Sequence, residues 1–228
     1  MIVVEGKKTR EIDAAGLRAL IASYVGVSID LGTGDGRFAY RYAASHPDRF
    51  VIAIDPVGEA MAEMSGRARR KQERGGVTNV RYAVASIERI PPELDHIANE
   101  IFVNLPWGSL MRGIILADDR VIEAIARLAN PGAIVRIILN TRIFDDPIPN
   151  EARDLPELTP DYVRLTLAPA FARAHVKIGE VRYLSPEEVG ALETTWAKRL
   201  SHRRPPPSVL IDAHVRNEGI DVAREHER

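Results

Sequence analysis

Val27-Ser28-Ile29-Asp30-Leu31-Gly32-Thr33-Gly34-Asp35-Gly36-Arg37 decides the fold: an apolar strand runs into a glycine-rich turn and then into a helical pattern. Glycine tolerates positive φ and close backbone approach, and the first turn of the next helix points unpaired N–H groups at the same place. The stretch therefore predicts a turn that holds a nucleotide. A dinucleotide fingerprint reads G-x-G-x-x-G and seats a pyrophosphate on the helix terminus. Here the spacing is G-x-G-x-G, with Asp30 on the strand and Asp35 inside the turn. Two carboxylates sit poorly beside a pyrophosphate and suit a ligand with a cationic amino group, such as S-adenosylmethionine. The same residues also read as a plain turn in which Asp30 and Asp35 serve only as turn and cap residues.

Working outward, Phe50-Val51-Ile52-Ala53-Ile54-Asp55 is a short apolar run ending in a carboxylate, the pattern of a buried parallel strand. Asp55 falls about twenty residues past the glycine turn, where a ribose-binding acid is expected. Strand and helix patterns then alternate. A hairpin over 2–12 turns about Gly6, a helix covers 14–24, and strands are expected at 27–31, 50–54, 80–84, 100–104 and 133–139. Helices are expected at 36–45, 57–73 and 112–129. Such alternation implies an α/β domain with a mostly parallel seven-stranded sheet, helices on both faces, and a ligand beyond the carboxyl ends of the strands. Asp30, Asp55, Glu88 and Asn104 all fall at or just after such ends.

Residues 143–160, with Pro147, Pro149, Pro156 and Pro160, interrupt the alternation and read as a loop inserted over the active face. A helix over 160–174 and a strand over 178–184 follow. Ser185-Pro186-Glu187-Glu188 then carries a capping box with proline at the first helical position. It opens a segment, 185–208, that holds a tryptophan and a basic cluster. Val209 to Val215 supplies the last strand, and 217–228 is expected to be a disordered tail.

The 228 residues suit one domain over 1–216 better than two. There is no cysteine, and the six histidines include no H-x-x-x-H pair, so neither a disulfide nor a metal site is expected. No basic leader precedes an apolar core and no run reaches bilayer length, so a cytoplasmic location without a membrane partner is expected.

With a net charge of −1, bulk electrostatics implies no polyanionic partner, but the basic residues are clustered. Arg67, Arg69, Arg70, Lys71 and Arg74 fall in the segment read as helix, with 67, 70, 71 and 74 on one face and Gly75-Gly76 ending it. Lys198, Arg199, Arg203 and Arg204 precede Pro205-Pro206-Pro207. A basic helix face is commonly a solvated surface, whereas two clusters in a near-neutral chain also fit a phosphate backbone. The two tryptophans divide in the same way. Trp196 continues an apolar stripe with Val189, Leu192 and Leu200, a core pattern. Trp107 ends Asn104-Leu105-Pro106-Trp107 at the mouth of a strand, where an indole meets ligand as readily as core. Enzymes that modify a base hold it between aromatic faces.

Asp-Leu-Gly-Thr-Gly-Asp-Gly at 30–36, Ala-Ile-Asp-Pro at 53–56, Pro-Trp-Gly-Ser-Leu at 106–110 and Trp-Ala-Lys-Arg-Leu at 196–200 together resemble the aminoglycoside-resistance 16S rRNA methyltransferases of the kanamycin–apramycin type. These methylate N1 of adenine 1408 in the decoding site. The resemblance implies a class I, Rossmann-like methyltransferase fold with an N-terminal hairpin extension. It implies S-adenosylmethionine as cofactor, contacted by Asp30, Gly32, Gly34, Asp55, Glu88, Asn104, Ser109 and Thr194. Trp107 and Trp196 would stack on the target base. Arg67, Arg69, Arg70 and Lys71 would meet rRNA phosphates, and Arg199, Arg203 and Arg204 would flank the flipped nucleotide. The partner would be the 30S subunit, met by a monomer. Phe38 and the triple proline at 205–207 depart from the family pattern. Another RNA methyltransferase, a nicotinamide-dependent oxidoreductase and a non-catalytic RNA-binding protein share parts of these features.

Overall fold

The computed structural model describes residues 1–144, 150–192 and 208–216. The chain opens with the hairpin β1 (Ile2–Glu5) and β2 (Lys8–Glu11). Asp13 then caps α1 (Ala14–Ile21) by accepting the Gly16 N–H at 2.7 Å. Next come β3 (Gly26–Leu31), α2 (Arg37–Ser45), β4 (Arg49–Asp55), α3 (Ala62–Ala68) and β5 (Val80–Val84). β6 (Ala98–Asn104), α4 (Gly108–Ile115), α5 (Asp119–Leu128) and β7 (Ala129–Asn140) follow. α6 (Pro160–Tyr162) passes through a π-helical turn (Val163–Leu167) into α7 (Ala168–Arg173). β8 (Val176–Leu184), α8 (Pro186–Ala191) and β9 (Ser208–Val215) complete the described chain.

The strands form one sheet in the order β2-β1-β5-β4-β3-β6-β7-β9-β8. β5, β4, β3, β6 and β7 are parallel, while β9 returns antiparallel to β7 and β8. The expected seven strands are all present. The hairpin, expected as an appendage, makes the sheet nine-stranded because β1 pairs antiparallel with β5 through Val3↔Ala83 and Val4↔Tyr82. It thereby covers what would otherwise be an open edge.

β4 is a nearly continuous apolar run because both of its faces are covered, whereas β3, equally buried, alternates apolar residues with Ser28 and Asp30. Val27, Ile29, Leu31, Ile52 and Ile54 pack toward Leu17, Ile114 and Ile125, and Val51 and Ala53 pack toward Ala39, Met64 and Tyr82. The described part of the segment expected as an inserted loop sends Ala152, Leu155 and Leu158 into the larger cluster. Arg112 on α4 grips Asp154 through two bonds of 2.7 and 2.8 Å.

Two expected helices are shorter than the sequence pattern suggests. The 57–73 segment begins as a 3-10 turn (Gly58–Met61) and its α-helix stops at Ala68. Met61, Met64, Ser65 and Ala68 are buried, and the next inward positions are Lys71 and Gln72, which have nothing to bury. The Val77 N–H closes the end on the Ala68 carbonyl at 2.8 Å. Arg70, Lys71 and Arg74 therefore lie in the connection to β5 rather than on one helix face with Arg67. The 112–129 segment is two helices, α4 and α5, broken where Ala117 takes φ +55 and Asp118 caps α5 through the Arg120 N–H.

Gly36, at φ +78, caps α2 against the buried Tyr82, and a Cβ there would lie 2.5 Å from the tyrosine Cε1. Gly36→Ala is expected to cost about 2–4 kcal/mol, combining left-handed strain with overpacking. Gly132→Ala, also at positive φ but with open space around it, carries the strain alone and should cost about 1–2 kcal/mol. Thermal melts of the two variants check the difference; equal losses would remove Tyr82 from the account.

Candidate active site

β3 has β4 on one side and β6 on the other, so the chain reverses its direction of winding at β3 and leaves a crevice beyond its carboxyl end. A cavity of about 410 Å³ occupies that crevice, between the glycine turn and the start of α4. The turn is tied to β4. The Ile54 carbonyl accepts from both the Gly32 N–H (2.9 Å) and the Thr33 N–H (3.0 Å). One oxygen of Asp55 accepts the Gly34 N–H at 2.9 Å, and the other accepts the Val57 N–H at 2.9 Å.

Asp30 forms the floor and is 2% exposed. Burial pushes its carboxyl up to about 7; Asp55 and Asp35 push the same way, while the Thr33 hydroxyl, which donates to it, and the nearby Asn104 amide pull it down. Burial also raises Asp55, against the two backbone N–H groups it accepts. A cation in this cavity would favour the ionised form of both groups. Asp35 also lines the cavity, where it caps the start of α2 through the Arg37 N–H (3.2 Å) and pairs with the Arg37 side chain at 3.0 Å.

Opposite Asp30, β6 ends in a strained corner. Leu105 takes φ +51 while its N–H remains on the Ile138 carbonyl at 2.8 Å. That corner leaves the Asn104 Nδ2 buried with no hydrogen bond of good geometry, although the amide lies near enough to Asp30 to favour its charge. It also turns Trp107 outward. The indole lines the cavity at 47% exposure and caps α4 only through its backbone, so a core role is excluded for it.

The structure brings Asp30, Gly32, Gly34, Asp55, Asn104, Trp107 and Ser109 around one cavity. Glu88 is exposed in the turn after β5, where hydrogen bonds from Ser109 and Ser86 hold its carboxyl below the usual range; the lining there comes from its neighbours Ser86 and Ile87. Thr194, Trp196, Arg199, Arg203 and Arg204 lie outside the described residues. Arg67 sits over the Tyr40 ring at 4.9 Å, Arg69 pairs with Glu5, and Arg70 and Lys71 border a surface hollow with Arg74. Sequence reasoning missed the apolar walls Phe38, Val57, Ile87 and Leu110. Each follows a strand end by a few residues, the one available signal, but an apolar residue there reads equally as core.

A family model described as NpmA, 16S rRNA (adenine(1408)-N(1))-methyltransferase, matches residues 2–215. The chain is 38% identical over 201 residues to the 16S rRNA (adenine(1408)-N(1))-methyltransferase of Streptoalloteichus tenebrarius, covering 88% of this chain and 92% of that one. Among solved structures it is similar to a tryptophan-to-alanine variant of the enzyme of that name from Catenulisporales acidiphilia, crystallised with cosubstrate SAM. The TM-score is 0.89 at 34% identity, covering 95% of this chain and 97% of the other. It is also similar to the antibiotic-resistance methyltransferase Kmr, with a TM-score of 0.81 at 38% identity, covering 95% and 99% of the two chains.

Because the folded Asp30 titrates near 7 and a free aspartate near 4, the folded state holds this proton more tightly. Its contribution to stability is complete below pH 4 and is lost as pH rises to about 7. Asp30→Asn should therefore match wild type near pH 4. At pH 8 it should melt roughly 8–16 °C higher without ligand, for about 4 kcal/mol of relieved burial. Melts across that range check this; a lower melting temperature at pH 8 would show a carboxylate that stabilises the empty fold.

Proposed function

The chain belongs to the NpmA family of 16S rRNA (adenine(1408)-N(1))-methyltransferases and transfers a methyl group from S-adenosylmethionine to that base, and we propose how its own residues carry out the reaction. The cavity fits the cofactor. It offers a buried carboxylate for the methionine ammonium in Asp30, a second for the ribose hydroxyls in Asp55, and the unpartnered Asn104 amide donor between apolar walls. Gly32 and Gly34 keep the turn free of side chains; Ser109 and Glu88 border the rim, and Thr194 adds a contact from the segment before Trp196. S-adenosylmethionine supplies an electrophilic methyl group.

Adenine N1 holds an in-plane lone pair and loses no proton on methylation, so no side chain has to act as a general base. The residues position instead, and a near-attack arrangement of two reactants is worth up to about ten kcal/mol. Trp107, exposed at the cavity mouth, and Trp196 clamp the flipped adenine, and their negative ring faces favour the positive charge the base acquires. Arg67, Arg69, Arg70 and Lys71 dock the rRNA through its phosphates, with Arg199, Arg203 and Arg204 beside the flipped nucleotide. The working partner is the 30S subunit in the cytoplasm, met by a single chain. Methylation there removes the acceptor that an aminoglycoside ring needs, which is the route to resistance.

The observation that carries this reading is the exposed indole of Trp107 beside a buried carboxylate floor. Primer extension on 16S rRNA, after 30S subunits are incubated with the protein and S-adenosylmethionine, tests it. A stop at adenine 1408 is expected, and a stop elsewhere or none overturns it.

Alanine at Trp107 or Trp196 should nearly abolish methylation while donor affinity and the melting temperature hold. Phenylalanine should keep part of the activity, since a stacked base is worth about 1–3 kcal/mol. A core role for Trp196 would instead cost about 3–5 kcal/mol of stability on truncation. Melts run beside primer extension decide: a Trp196→Ala protein that melts far below wild type, or that methylates normally, removes Trp196 from the clamp.

A further inference from the structure

The hairpin leaves the sheet edge early. β1 pairs with β5 only at Val3 and Val4, and beyond Glu5 the turn lifts onto α3, where the Gly6 N–H donates to Ser65 Oγ at 3.0 Å. Lifting the turn uncovers the start of β5 and opens a cavity of about 510 Å³, lined among others by Glu5, Arg10, Arg69, Arg70, Thr78 and Arg81. Four arginines thus line one cavity, and Glu5 is the one carboxylate among the described residues that line it.

The arrangement is built rather than accidental. Glu5 accepts from Arg10 Nε at 3.0 Å with one oxygen and pairs with Arg69 through the other, so it aligns two arginines from separate elements. Arg81 is fixed by donating to the Thr78 carbonyl (3.0 Å) and the Val80 carbonyl (2.7 Å), with Phe50 5.7 Å beneath its guanidinium. Its Nε is buried and has no hydrogen-bond partner. Burial together with the charge of Arg10 pulls the Arg81 pKa down, against the opposing charge of Glu5, which is already shared by Arg10 and Arg69. A tetrahedral oxyanion matches several planar forks at once. Arg69 and Arg70 belong both to this cavity and to the basic stretch assigned to rRNA docking, so a phosphate seated here lies on the path of that backbone.

We propose that this cavity is a phosphate seat for the docked RNA, in which Arg10 of the hairpin and Arg81 of β5 join Arg69 in holding one backbone phosphodiester. The proposal rests on the rRNA reading above, and it makes the hairpin a part of the docking surface. Arg10 is exposed on a strand whose four side chains all face solvent, so its replacement should leave the fold and donor binding intact.

Binding of wild type, Arg10→Ala and Arg10→Glu to 30S subunits, followed across a salt series, provides the test. Arg10→Ala should weaken binding about 5- to 30-fold, as expected when one charge-assisted contact is lost. It should also lower the slope of log K against log salt by about 0.7–0.9, one phosphate's worth. Arg10→Glu should weaken binding further, with melting temperature and calorimetric affinity for S-adenosylmethionine unchanged in both. Wild-type affinity and slope in both variants overturn the seat while leaving the enzyme assignment standing. Failure of the wild type itself to bind 30S or to stop primer extension at adenine 1408 overturns the underlying reading and the seat with it. A parallel titration with inorganic phosphate separates the sources: phosphate binding lost in Arg10→Glu with 30S affinity unchanged would assign the cavity to a free anion and overturn the RNA role.

Discussion

One carbonyl organises the active face. Ile54 is the last apolar residue of β4, and its oxygen takes both the Gly32 and the Thr33 N–H, while Asp55, the next residue, takes the Gly34 N–H. Two parallel strands alone would leave the glycine turn free to open. These three bonds fasten it to the neighbouring strand end, fix where α2 begins, and set Asp30 and Asp55 on the same side of the crevice. The turn can accept this geometry because glycine takes positive φ at 32, 34 and 36. The buried ring of Tyr82 fills the space beneath Gly36, so backbone freedom and core packing are settled at one residue.

The second constraint is electrostatic. An aspartate almost wholly removed from water is poorly stabilised unless something compensates its charge. Here the compensation is partial: a hydroxyl from Thr33 and the nearby amide of Asn104 lower its pKa, while two other carboxylates raise it. The fold by itself therefore holds Asp30 near the midpoint of its titration at neutral pH, and a neighbouring ammonium group would favour its charged form. A site of this kind costs the protein stability and returns it as selectivity for a cationic ligand over a pyrophosphate.

Much of this was legible from residues 27–56, because a strand, a glycine turn, a helix and a strand-end carboxylate each leave a local signature, and their order fixes the topology. What was not legible depended on long-range context. The helix expected over 57–73 stops at Ala68 because its buried stripe runs out, yet arginine and lysine are good helix formers and local propensity did not mark the end. The break at Ala117 was marked only by Asp118, a cap that an unbroken apolar pattern overrode. The hairpin's place in the sheet and the cavity it opens depend on a strand some eighty residues away, which no spacing rule reaches. For Asp35, caps and ligand contacts use the same residue types, so sequence left both readings open.

The corner at Leu105 shows how the exposed indole is kept in place. A left-handed leucine costs roughly 1–2 kcal/mol, so the surrounding structure must compensate for it. Leu105 is buried in a small cluster with Ile138, Leu184, Val189 and Leu210, and its N–H is held by Ile138. Leu184 ends β8, Val189 lies on α8, and Leu210 lies near the start of β9. Those elements flank residues 193–207 on both sides. The root of the Trp107 corner and the two ends of the segment that carries Trp196 are thus packed into one apolar cluster. That packing offsets the strain at Leu105 and holds the exposed Trp107 indole at the cavity mouth, so the corner's position is set by β7, β8, α8 and β9 as much as by β6 itself.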